Sequence, residues 1–114
     1  MLTAGDVRID EAAHRAYRGV LELDLTLREF ALLTLLVRHP DRVFSKTELV
    51  SLLFTAPVTP NAVEVHVANL RRKLEQGGPR LIHTVWGLGY VLRTDPEGQL
   101  PLPFLSDVGA APGP

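Results

Sequence analysis

TPNAVEVHVANLRRKLEQGGPRLIHTVWGLGYVLR, residues 59–93, is the stretch that decides the fold. Thr59 is a favoured N-cap residue, and Pro60 falls at the first helical position, where its missing N–H costs nothing. Val63, Val67, Leu70 and Leu74 recur at helical spacing and fall in one narrow arc of a helical wheel. The helix is predicted to run to about Glu75, where Gly77-Gly78-Pro79 stops it. Beyond it, Leu81 to Trp86 and Tyr90 to Arg93 flank Gly87-Leu88-Gly89, a β-hairpin whose turn glycines can take positive φ.

Upstream, two capping boxes mark two more helices. In Thr26-Leu27-Arg28-Glu29 the hydroxyl accepts from the N3 amide while Glu29 reaches back to the cap. Phe30, Leu33, Leu36 and Val37 then supply a buried stripe, and Pro40 forces the chain out of the helix at His39. Ser45-Lys46-Thr47-Glu48 repeats the box, with Leu49, Leu52 and Leu53 behind it. A connection with two prolines, Thr55 to Pro60, leads into the third helix. The first 25 residues read as short strands: Val7 and Ile9 alternating with Asp6, Arg8 and Asp10, then Ala13 to Tyr17, then Leu21 to Leu23, turning at Arg18-Gly19. Strands, three helices and a hairpin in that order make an α+β helix-turn-helix with a small N-terminal antiparallel sheet and a C-terminal β wing.

Opposite the apolar arc of the third helix lie Asn61, Val65, Ala68, Asn69 and Arg72, with His66, Arg71 and Lys73 on the flanks. These side chains suit a major groove. Asn bonds bidentately to adenine, Arg to guanine, and Val or Ala meets a thymine methyl. A plain amphipathic surface helix explains the same pattern until the hairpin is added.

The net charge of -1 hides a segregation along the chain. Residues 61–93 carry Arg71, Arg72, Lys73, Arg80 and Arg93 against Glu64 and Glu75. Residues 94–114 carry Asp95, Glu97 and Asp107 and no base. Positive charge is thus gathered where a phosphate-contacting surface needs it. The chain reads as one domain over 1–93, followed by a Pro-rich acidic tail over 94–114 expected to be disordered. No apolar run approaches the roughly 20 residues that cross a bilayer, and no signal peptide leads the chain, so a cytoplasmic protein is expected. With no cysteine there is no disulfide and no thiolate metal site, and the four histidines are too scattered for a metal cluster. Ser45 lies outside any nucleophile elbow, and Gly87-Leu88-Gly89 lacks the third glycine and following helix of a nucleotide loop. Neither an enzyme nor a cofactor is expected.

Four blocks together resemble the OmpR/PhoB-type effector domains of bacterial two-component response regulators, over roughly residues 2–93. Leu25-Thr26-Leu27-Arg28-Glu29-Phe30-Ala31-Leu32-Leu33 looks like the family's first helix, and Val43 to Leu49 like the start of its second. Val63 to Leu74 looks like its recognition helix, and Thr84 to Tyr90 like its wing. The resemblance implies a recognition helix in the major groove, a wing beside the minor groove, and a second copy head-to-tail on direct repeats. It carries base or phosphate contact to Asn61, Val65, His66 and Asn69, and backbone contact to Arg71, Arg72, Thr84 and Tyr90. Glu64 is expected to orient a neighbouring side chain. Trp86, counted among the DNA-contacting positions, stands where the family has a cation; packing into the wing is its first expected role, with stacking on a sugar or a protein contact as the alternatives, and Ala68 and Asn69 stand where arginine is frequent. The Thr55–Pro60 connection is shorter than usual, which weakens the implied contact with RNA polymerase. The family's receiver domain has no room before the first strand, which fits an excised domain or a stand-alone version. The alternative reading is a winged-helix module for protein–protein contact with weak or lost DNA binding.

Overall fold

The computed structural model describes residues 1–94. Apart from Thr94, the acidic tail therefore lies outside the described residues. Four short strands, β1 (Leu2–Ala4), β2 (Val7–Asp10), β3 (Arg15–Arg18) and β4 (Leu21–Leu23), form an antiparallel meander in that order. Three helices follow, α1 (Leu27–Arg38), α2 (Lys46–Leu53) and α3 (Pro60–Leu74), and then the hairpin of β5 (Ile82–Val85) and β6 (Gly89–Leu92). The architecture is an α+β winged helix-turn-helix.

Both capping boxes form. Thr26 Oγ1 accepts from the Glu29 amide at 3.2 Å while Glu29 Oε1 accepts from the Thr26 amide at 3.1 Å. Ser45 and Glu48 repeat the pair at 3.0 and 3.1 Å. Thr59 makes no side-chain cap bond, so α3 starts on the geometry of Pro60 alone. Its buried residues are Val63, Val67, Leu70 and Leu74, which join Leu32, Leu33, Leu36, Phe44 and Leu49 in one core with Val7, Ile9 and Ala16 of the sheet.

Three features differ from the sequence expectation. β1 was not foreseen, since three residues carry too little alternation to read. The strand expected over Ala13–Tyr17 begins only at Arg15. Residues before it turn, with His14 in the left-handed region at φ 58° and its ring stacked 3.9 Å from Phe30, so His14 closes a turn where a strand surface position was expected. Third, Arg18 is an anchor: it is 2% exposed and donates from Nη1 to the Leu74 carbonyl at 2.7 Å and from Nε to Asp6 at 3.2 Å. Its cation thus meets the negative C-terminal end of α3. Gly78 stops the helix and also makes room for this guanidinium, since a Cβ there would lie 2.8 Å from Arg18 Nη2.

The wing is locked to the start of α2. Phe44 N donates to Tyr90 O at 2.8 Å and Tyr90 N to Phe44 O at 2.9 Å, so Phe44 acts as a third strand beside β6. Gly89, at φ 147°, permits this approach, because an added Cβ would sit 1.9 Å from Phe44 O. Gly89→Ala is therefore expected to destabilise by about 2–4 kcal/mol through strain and overlap. A urea midpoint unchanged from the parent would refute this.

The second constraint is Glu29, a carboxylate only 3% exposed. Burial pushes its pKa up, but the hydrogen bond from Lys73 Nζ at 2.6 Å, the Thr26 amide and the nearby cations outweigh this and hold it below the usual carboxylate value. A folded-state pKa lowered in this way adds stability that is present above the unfolded value, near pH 4.3, and disappears as pH falls through the folded one. Glu29→Gln is expected to lower stability at pH 7 by about 1.5–3 kcal/mol, with the gap closing below about pH 4. Chemical denaturation across pH 3–7 measures it, and a pH-independent gap would contradict the assignment.

Candidate nucleic-acid interface

With its apolar arc against α1 and α2, α3 leaves the opposite arc in solvent. Asn61, Glu64, Val65, Ala68 and Arg72 are exposed, and Asn69 and His66 are half-buried. Val65 is 58% exposed, unusual for a β-branched apolar side chain in mid-helix. Asn69 and Arg72 are one turn apart and already joined, Arg72 Nη2 donating to Asn69 Oδ1 at 3.2 Å. His66 rests on Phe54, ring centroids 5.5 Å apart, which places it at the edge of the face next to the α2–α3 connection.

Arg71 bridges the helix and the wing. Its Nη2 donates to Thr84 Oγ1 at 3.0 Å, while its Nε is buried without a partner. Burial, with Arg80 nearby, lowers the pKa of this guanidinium from its usual value. It remains a cation at neutral pH. The half-buried His83 of β5 is likewise lowered, by burial first and then by Arg93, Arg80 and Arg71. The base of the wing is therefore a field of positive charge around a neutral imidazole.

Other cations are committed to carboxylates. Lys46, at the first turn of α2, pairs with Glu64 of α3, so Glu64 holds a basic side chain in place over the groove between the two helices. That hydrogen bond raises the Lys46 pKa. Arg80 pairs with Glu75 at 2.7 Å. Lys73, expected on the DNA-facing flank, is turned the other way: its Nζ binds Glu29 and the Asp24 carbonyl, the latter at 2.8 Å. Its long stem carries the charge around the helix to α1, which a wheel of Cα directions does not reveal. Among the described residues, Arg71 and Arg72 are thus the α3 cations without a carboxylate partner.

The wing tip also differs from expectation. Packing was the expected role of Trp86, yet it is 90% exposed, and Leu88 beyond Gly87 is 63% exposed. Tyr90, by contrast, is 6% exposed and belongs to the core, apart from the outward-facing residues of the hairpin. Thr84 is exposed on β5. A groove lined by Ser45, Lys46, Glu64, Thr84 and Trp86 runs between the start of α2, the outer face of α3 and the wing. Sequence reasoning missed Lys46 and the α2 N-terminus as its wall. The signal was the second capping box, which leaves amides N1 and N2 directed outward.

Comparison with known proteins bears on this arrangement. Residues 21–92 match the family described as "Transcriptional regulatory protein, C terminal". The chain is 44% identical over 98 residues to the response regulator MprA of Mycobacterium ulcerans, covering 83% of this chain and 42% of that protein. It thus spans about two-fifths of that relative's length. Among solved structures, the AdeR DNA-binding domain in complex with an intercistronic region superposes with a TM-score of 0.78 at 29% identity, covering 82% of this chain and 99% of that one. The C-terminal domain of the nisin resistance regulator NsrR superposes with 0.73 at 32% identity, covering 84% and 99%. The four sequence blocks, the winged architecture and these likenesses agree: the chain belongs to the family of transcriptional regulatory protein C-terminal domains, of the OmpR/PhoB type.

Proposed function

We propose that this domain binds double-stranded DNA sequence-specifically and acts as the DNA-binding part of a bacterial transcription regulator. The observation that carries the reading is the solvent-facing stripe of α3, in which Asn61, Val65 and Arg72 stand clear of the core, with Asn69 half-buried among them, while the wing rises beside them. With α3 in the major groove, Asn69 and Arg72 read base edges, Val65 and Ala68 meet thymine methyls, and His66 lies near a phosphate. Arg71, Thr84 and the α2 N-terminus with Lys46 grip the backbone, helped by outward amides and the helix dipole. The AdeR structure, a relative's domain on DNA, supports this docking. The regulator is read as cytoplasmic, and no helix among the described residues is long and apolar enough to cross a membrane. A second copy arranged head-to-tail and RNA polymerase complete the proposed partners.

The competing reading is a module for protein–protein contact, favoured by the exposed apolar pair Trp86 and Leu88. Salt separates the two. Binding through phosphates gives log K falling against log salt with a slope of about -0.9 per neutralised phosphate. The chain is expected to be retained on random duplex at low salt and eluted by moderate salt, and salt-insensitive or absent retention would favour the protein module.

Arg72→Ala and Asn69→Ala are each expected to reduce discrimination among duplexes by roughly 1–3 kcal/mol, with coupling between them because the two side chains are bonded. Lys73→Ala, whose charge is spent on Glu29, is expected to lower the melting temperature and leave site preference intact. Site selection from a random pool with each variant decides this. The same motif for Arg72→Ala as for the parent, or an altered motif for Lys73→Ala, would overturn the assignment.

A further inference from the structure

We propose that Trp86, with Leu88, is an apolar wedge by which the wing tip seats in the minor groove of the duplex whose major groove receives α3. This deepens the DNA-binding reading and rests on it. Trp86 is 90% exposed and Leu88 63% exposed, side by side across Gly87, with no other part of the described chain covering them. The tip is held out rigidly. Leu88 N donates to Val85 O at 2.9 Å within the turn, and the paired Phe44–Tyr90 hydrogen bonds fix the hairpin to the body. Two large apolar side chains are therefore presented to solvent by a braced turn, a costly arrangement without a partner.

Size and charge choose the partner. A tryptophan buries about 150–250 Å², so this pair falls well short of the roughly 800 Å² that each side of a stable protein interface contributes. A narrow slot fits better than a flat surface, and the minor groove is about 6 Å wide. From Arg80 to Arg93 the chain carries no carboxylate, and Arg71, Arg80 and Arg93 gather at the wing base, so the wing itself sets no negative charge against a polyanion; Glu64, the acid that lines the adjoining groove, is paired with Lys46. The geometry is continuous with the α3 face: Arg71 of α3 bonds Thr84, two residues before Trp86. One DNA strand running along the groove past Lys46 then has α3 on one side and the tip on the other. There the indole packs on sugars or between base steps, with Leu88 against the opposite wall. Such wedges partly unstack a step and favour flexible pyrimidine–purine steps, while the guanine amino group obstructs the groove floor.

Trp86 is the only tryptophan of the chain, so its fluorescence reports this contact alone. The experiment titrates the 114-residue chain with labelled duplexes, A·T-rich with TA steps or G·C-rich. Duplex anisotropy reads binding, and iodide quenching of Trp86 reads its exposure. The wedge predicts that quenching falls several-fold on binding, more on the A·T-rich duplex. Trp86→Ala should weaken binding roughly 5- to 100-fold, the span of aromatic stacking on bases, with salt slope and melting temperature unchanged. Trp86→Arg should steepen the slope. Normal anisotropy with Trp86 still fully quenchable overturns the wedge while leaving DNA binding intact. No anisotropy change with any duplex overturns the DNA-binding reading and the wedge with it. Protection that grows with protein concentration in the absence of duplex assigns the tip to a second copy and overturns the wedge.

Discussion

A carboxylate that is 3% exposed must have its charge met from every side, and the way Glu29 achieves this sets the geometry of the domain. One oxygen, Oε1, closes the capping box at the start of α1 and also receives Lys73 from the last turn of α3. The same Lys73 binds the Asp24 carbonyl, in the segment that leaves β4. Sheet, first helix and third helix are thereby tied at one ionic point. The apolar arc of Val63, Val67, Leu70 and Leu74 sets which face of α3 is buried. A hydrogen-bonded ion pair adds direction to this, and narrows the rotation that the apolar arc allows. Arg18 does the same at the helix end, holding the Leu74 carbonyl from β3. Both anchors act on the last turn of α3, at Lys73 and Leu74, just beyond Asn69 and Arg72.

The wing is positioned by a different means, backbone against backbone. Phe44 pairs with Tyr90, and only glycine at position 89 lets the strands meet. Because Ser45 caps α2 directly after Phe44, the wing and the α2 N-terminus cannot move independently. The groove between them therefore has walls of fixed separation, and Arg71 donating to Thr84 fastens the third side. On the proposed reading, a groove preorganised in this way loses little conformational freedom on receiving a strand of DNA.

The fold was legible because its signals are local. Two capping boxes, a proline at N1, and glycines at 87 and 89 each act within a few residues, and each takes the place read for it. β1 escaped because three residues cannot show a period, and the 13–17 strand was overextended because His14 takes a left-handed conformation that alternation does not register. The interface was half legible. Helical periodicity gives the outward direction of Asn61 and Val65 correctly, since short or stiff side chains stay where Cα points them, and of Arg72 because its bond to Asn69 keeps it on its own face. Lys73, Arg18 and Lys46 are long, and their charged ends are placed by partners far along the chain: 44, 56 and 18 residues away. No local pattern encodes such pairings. A large aromatic in a small domain usually packs, whereas the exposure of Trp86 follows from its place in the three-residue turn, 86–88, beyond the last hairpin pair, Val85 with Gly89.

These pairings shape how the surface can recognise a polyanion. Lys46 is held by Glu64 and Lys73 by Glu29, so two of the cations nearest the face are already neutralised, leaving Arg71 and Arg72 as the α3 charges without a carboxylate partner. With Arg71 and Arg72 as its free α3 cations, the proposed face draws only part of its affinity from counterion release. Its selectivity has to come from directed contacts, and the structure supplies them in preassembled form. The Asn69–Arg72 bond holds amide and guanidinium next to each other, which on the proposed reading reduces the side-chain entropy lost on meeting two bases. Glu64 contributes by aiming Lys46, and as an acid close to where phosphates must pass it also penalises a misplaced backbone. Where a cation is common at the wing, this chain presents an indole. The proposed interface thus relies on shape at its tip and on hydrogen-bond geometry at its centre, with charge confined to the groove between them.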